Sequence, residues 1–139
     1  MFLKKIDQFI DNFFGSLNHF AQFLLRLGLG LAFIFHGYAK LPLPPQKLID
    51  FFNFSPFLAS LVCVSELGAG ILLIISGFLN SYVGNILTRI SSFTIVIIMS
   101  FAFYFAHQDW FINSKLFTSE QFFLFLIGFY FLIVGNKKI

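Results

Sequence analysis

Apolar and polar positions alternate with helical spacing at the start of the chain and then give way to long apolar runs. In residues 1–17, MFLKKIDQFIDNFFGSL, apolar groups stand at Phe2, Leu3, Ile6, Phe9, Ile10, Phe13, Phe14 and Leu17. Lys4, Lys5, Asp7, Gln8, Asp11 and Asn12 take the other face. This pattern predicts an amphipathic helix lying in a membrane interface. The basic start leads into a mixed stretch without a continuous apolar core, which argues against a signal peptide. Four apolar runs follow, at about 18–40, 57–79, 86–106 and 120–135. The first three reach the roughly 20 residues that a bilayer crossing takes, and the fourth is the shortest.

The breaks between the runs have their own chemistry. Leu41-Pro42-Leu43-Pro44-Pro45 ends the first run, because proline cannot continue a helix. Residues 46–55 suit a short interfacial helix, and Asn80 to Asn85 a turn. Residues 107–119 are polar and hold Trp110, a side chain suited to the headgroup level. The predicted fold is therefore an all-α membrane protein. It has an N-terminal interfacial helix (1–17) and one domain (18–139) that forms a four-transmembrane-helix bundle.

Composition agrees. Hydrophobic residues make up 58% and charged residues 11%, with mean hydropathy +0.88. Soluble domains carry about 25% charged residues, so lipid is the main solvent here. Phenylalanine is abundant, 24 of 139, which reads as compositional bias and not as an aromatic site. The net charge of +3 is small and its basic residues are scattered, unlike the clustered face of a nucleic-acid binder. Cys63 is the one cysteine, so there is no intramolecular disulfide, no CxxC and no Cys/His zinc spacing. No metal site is expected. Lys4, Lys5, Arg89, Lys137 and Lys138 fall on one side of the membrane, and Lys40, Lys47 and Lys115 on the other. That bias puts both termini in the cytoplasm.

Ionisable residues inside the runs are the candidate chemistry. A carboxylate mid-membrane costs roughly 2.5–3.5 kcal/mol on insertion scales, so Glu66 calls for a partner, a cavity or a proton. Arg26, Gly30, Gly37, Lys40 and His36 share one face of the first run at about 100° per residue. Glu66, Gly70 and Gly77 repeat the same offsets in the second. Small residues at that spacing let membrane helices approach closely. The expectation is an antiparallel contact through Gly30, Gly37, Gly70 and Gly77, with Arg26 and Glu66 as a buried ion pair. At 1.5 Å per residue the two charges sit about 6 Å apart in height, within reach of an arginine. In the outer half, His36, Lys40, Glu66 and His107 converge as a candidate ligand or proton site. Each also has a plainer reading: Lys40 as a snorkelling rim residue, the two histidines as interfacial, Arg89 as an inner-leaflet anchor. Haem ligation by two histidines on different helices is a weak reading. There is no carboxylate pair, serine triad or phosphate-binding glycine loop, so no catalytic residue is assigned.

LLRLGLGLAFIFHGYAKL (Leu24 to Leu41) resembles the first helix of the DoxX family, with its arginine and its His-Gly-x-x-Lys ending. SELGAGILLIISGF (Ser65 to Phe78) is similar to the second helix. Ile86 to His107 is similar to the third, opening near an arginine and closing on a histidine. Glu120 stands where the family often opens its last helix. The resemblance implies a bacterial inner-membrane protein linked to redox systems. Relatives include the membrane subunit of a thiosulfate:quinone oxidoreductase and partners of superoxide dismutase or thiol-transfer enzymes. Two readings follow. In one the chain is the membrane subunit of a quinone- or thiol-linked redox system. In the other it is a non-enzymatic membrane partner or assembly protein whose intramembrane charges are structural. A proton or solute pathway is a third, and would need an oligomer. The expected partners are the lipid bilayer and another membrane or redox protein, or a second copy of the chain.

Overall fold

The computed structural model describes residues 2–111 and 114–136, and the side chains of Trp110 and Phe111 are left aside. The expected roles of Trp110, Lys137 and Lys138 lie outside the described residues. Every regular element described is helical: α1 (Phe2–Gly15), α2 (Asn18–Tyr38), α3 (Gln46–Phe52), α4 (Pro56–Gly77), α5 (Tyr82–Ala106), α6 (Lys115–Thr118) and α7 (Glu120–Val134). A 3₁₀ turn at Gln108–Phe111 precedes α6. Helices α2, α4 and α5 are long and apolar enough to cross a membrane, and α7 is apolar but shorter. Its 15 residues reach about 22 Å, less than the roughly 30 Å of a hydrocarbon core.

Serine hydroxyls start three of the four bundle helices. Ser55 accepts from the Leu58 N–H ahead of Pro56, Ser81 from Gly84 and Ser119 from Phe122. Each satisfies one N–H that the first turn leaves without a helical acceptor. The Ser81 cap corrects one expectation: α5 begins at Tyr82, not near 86, and the turn shrinks to the residues around Asn80. Gly84 permits this, because a Cβ there would run into the Leu79 carbonyl. The expected short helix at 46–55 ends at Phe52, where Asn53 takes a left-handed conformation.

Helices α2, α4, α5 and α7 pack in that order, and α2 and α7 touch only lightly. The core joins Leu29 and Phe33 of α2, Ala69 and Leu73 of α4, Ile95, Met99 and Phe103 of α5, and Leu124 and Phe131 of α7. In lipid, burial of these groups brings little hydrophobic gain, so close packing and polar bridges must hold the bundle. The α2/α4 seam shows how close. A Cβ on Gly70 would sit 2.5 Å from the Gly30 carbonyl oxygen, and one on Gly30 3.0 Å from the Gly70 oxygen. Gly37 lies as closely against Leu67 and the Cys63 carbonyl. Helix α1 buries none of its residues, and its apolar side chains Phe2, Leu3, Phe9 and Phe13 stay exposed.

The start of α2, the end of α4, the start of α5 and the end of α7 meet at one end of the bundle, here the base. The opposite ends meet at the head.

Candidate functional site

The ionisable residues fall into two separate layers. At the head, Lys40 follows α2 and its Nζ donates to Glu66 Oε2 at 2.5 Å and to the His36 carbonyl at 3.1 Å. The Glu66 side chain is 5% exposed and that of Lys40 22%. One helical turn back from Lys40, the His36 ring Nε2 is 3.0 Å from Glu120 Oε1. Glu120 opens α7 and is 66% exposed. Cys63, one turn from Glu66, is buried and its Sγ donates to the Gly37 carbonyl. His107 caps α5 at the same end. The head therefore holds two polar pairs, His36–Glu120 nearer the surface and Lys40–Glu66 deeper, which meet only through the main-chain carbonyl of His36.

At the base, Arg26 is 6% exposed. Its Nη1 donates to the Leu73 carbonyl at 2.9 Å, to Ser76 Oγ at 3.0 Å and to Thr88 Oγ1 at 2.9 Å. Its Nη2 donates to Asn136 Oδ1 at 3.0 Å, and its Cζ lies 4.7 Å over the Phe131 ring. Asn136 in turn donates through Nδ2 to the Ser76 and Leu79 carbonyls. Arg89 donates to the Leu132 and Ile133 carbonyls. So Arg26 and Asn136 close the C-terminal end of α4, and Arg89 that of α7. Helix ends carry carbonyls without helical partners and about half a negative charge, which a cation offsets.

This overturns the expected ion pair between Arg26 and Glu66. Gly30 faces Gly70, so Glu66 lies level with about residue 34. That is eight residues, or about 12 Å, above Arg26, twice the height difference expected. Helical side chains also lean toward their own N-terminus. On antiparallel helices this sends Arg26 toward the base and Glu66 toward the head. Gly77 likewise has another role than helix-to-helix contact: it faces the Arg26 side chain, and a Cβ there would be 2.5 Å from Arg26 Cδ. Arg89, read as a membrane anchor, is a helix cap.

Sequence reasoning brought together Lys40, Glu66 and His36 and placed His107 at the same end. Glu120 entered only through the family resemblance. Ser76, Thr88 and Asn136 went unnoticed. The signal for them was the buried arginine itself, which needs several oxygen acceptors near its head.

An open cleft of about 160 Å³ lies at the base, lined by His19, Gln22, Phe23, Arg26, Gly77, Asn80 and Asn136. Gln22 Nε2 donates to the Tyr130 hydroxyl at 3.1 Å, bridging α2 to α7. Among the described residues no three His, Cys, Asp or Glu side chains gather as metal ligands would.

Comparison with known proteins gives one match. The family model described as DoxX covers residues 21–108, from the first turns of α2 through the end of α5. Searches of curated proteins and of solved structures return no match.

Proposed function

The chain belongs to the DoxX family of membrane proteins, and from that premise we propose that it is the membrane subunit of a redox system that receives a quinone headgroup and its protons at the head. One observation carries the reading: a buried carboxylate, Glu66, is held by Lys40, whose other bond goes to the main-chain carbonyl of His36, and the ring of that histidine meets the exposed Glu120. Ionisable groups within a membrane are costly, and their usual use is in ligand or proton pathways. The residues fit a quinone headgroup, whose carbonyl oxygens accept hydrogen bonds. Lys40 and His36 supply donors, and Glu66 supplies an acceptor for a hydroxyl proton. Glu120 and the His36 ring form a second polar pair at the same end, nearer the surface. The partner protein supplies the electrons. Arg26 has no part in this site.

The same proposal places the chain in a bacterial inner membrane with both termini cytoplasmic. The charge bias supports it: Lys4 and Lys5 of α1 and Arg89 lie toward the base, Lys40, Lys47 and Lys115 toward the head. Helix α1, unpacked and amphipathic, lies in the cytoplasmic interface in this arrangement.

Binding of a short-chain quinone analogue to the purified protein tests the site. Glu66→Gln and His36→Ala each weaken binding by about tenfold if their hydrogen bonds to the headgroup matter. Unchanged affinity in both variants contradicts the reading.

A second reading has its own observation. Arg26, Arg89 and Asn136 are all engaged at helix ends, as expected of charges that hold a bundle together. The chain would then be a membrane partner or assembly protein that docks through its lipid-facing side chains. In that case the wild-type protein binds no quinone analogue, and the head variants change only its stability.

A further inference from the structure

The base carries a second site, independent of the head. We infer that the cleft beside Arg26 seats an oxyanion of the phosphate class.

The argument starts from the charge. Arg26 is nine-tenths buried, and no carboxylate among the described residues touches it. Its four hydrogen bonds go to neutral oxygens and use Nη1 and one N–H of Nη2. Nε and the other Nη2 hydrogen have no acceptor among the described residues. The α4 terminus offsets about half a unit of the charge. Arg89 does the same for α7, so the two guanidiniums and two helix ends leave the base about one unit positive.

The lining completes the case. His19 and Asn80 can present N–H donors, Gln22 keeps one N–H beyond its bond to Tyr130, and no acidic side chain among the described residues faces the cleft. Gly77 forms part of the wall where any Cβ would push the guanidinium aside. At about 160 Å³ the cleft far exceeds the roughly 15 Å³ that one water needs. Arg26 lines the cleft with N–H groups still unused, and a guanidinium is the donor that best matches phosphate and carboxylate oxygens. The oxyanion can belong to a lipid headgroup at the bilayer surface or be a free ion in water.

Thermal unfolding and native mass spectrometry of the full chain in a neutral detergent test this. Three additions are compared: inorganic phosphate, phosphatidylglycerol and phosphatidylcholine. The variant is Asn80→Asp, which keeps the side chain's size, touches none of the bonds of Arg26 and puts a carboxylate into the cleft. Saturable stabilisation by phosphate alone identifies a free anion as the occupant. Stabilisation by phosphatidylglycerol but not by phosphate or phosphatidylcholine identifies a lipid headgroup. In either case Asn80→Asp lowers the affinity by about tenfold or more, because the built-in carboxylate competes for Arg26. The inference is overturned if neither anionic addition binds, if phosphatidylcholine binds equally well, or if Asn80→Asp responds like the wild type. The quinone test does not bear on these outcomes, since it reads the other end of the bundle.

Discussion

Glu66 and Lys40 depend on one another. The carboxylate is nearly closed off, and Lys40 is the one cation among the described residues within ion-pair distance of it. Lys40→Ala therefore leaves a buried charge unpaired, and such losses typically cost about 3–5 kcal/mol; the partial exposure of Lys40 points to the low end, about 3. Thermal unfolding in detergent should show the loss, with Glu66→Gln milder than Lys40→Ala. Ser92 makes the opposite case. Its hydroxyl is fully buried in α5, the single buried side-chain polar atom among the described residues without a partner. Ser92→Ala removes that unmet group and should stabilise the fold by about 1 kcal/mol, read in the same assay. The residues of the head were legible in the sequence because charge in an apolar run is conspicuous. Their partners were less so. Pairing Arg26 with Glu66 required the α2/α4 register and the lean of each side chain, and periodicity gives only the face. In sequence nothing marks Asn136 as more than a polar residue after an apolar run, yet it ties the end of α7 to α4.

At the scale of elements, glycines separate contact from mere composition. Gly70 and Gly30 touch backbone to backbone, whereas Gly28 and Gly68 face open space. Gly70→Ala must push α2 and α4 apart and should lower the melting temperature sharply. Gly68→Ala should leave it unchanged or raise it, since alanine is favoured over glycine in a helix by up to about 1 kcal/mol. Equal effects at the two positions would mean that the α2/α4 contact is not the close one described. The apolar runs predicted α2, α4, α5 and α7 with ends off by a few residues. The largest difference is the start of α5, where Gly84 and Asn85 look like turn residues in sequence. A serine cap and a close approach of the Leu79 carbonyl keep them helical instead.

At the scale of the molecule, the bundle is an arc of α2, α4, α5 and α7 whose ends meet lightly along α2 and α7. That seam is bridged by Gln22 to Tyr130 toward the base and by His36 to Glu120 at the head. Helix α1 stands apart, with no buried residue. Removing residues 2–15 should leave the melting temperature of the bundle unchanged, and a peptide of residues 2–15 should bind anionic vesicles more tightly than neutral ones in a co-sedimentation assay, because Lys4 and Lys5 accompany the apolar face. The polar layers divide the work in the same way: the base closes helix ends, and the head holds a buried carboxylate and its lysine beside the His36–Glu120 pair. Replacing the head pair by apolar residues of similar size separates structure from function, since exchanging a buried ion pair for well-packed apolar groups is often neutral for stability. The decisive measurement is the affinity of a short-chain quinone analogue for purified Lys40→Met/Glu66→Leu protein, beside its melting temperature. The account predicts a melting temperature close to the wild type and an affinity lower by about tenfold or more. A variant equally stable and equally able to bind the analogue would contradict it.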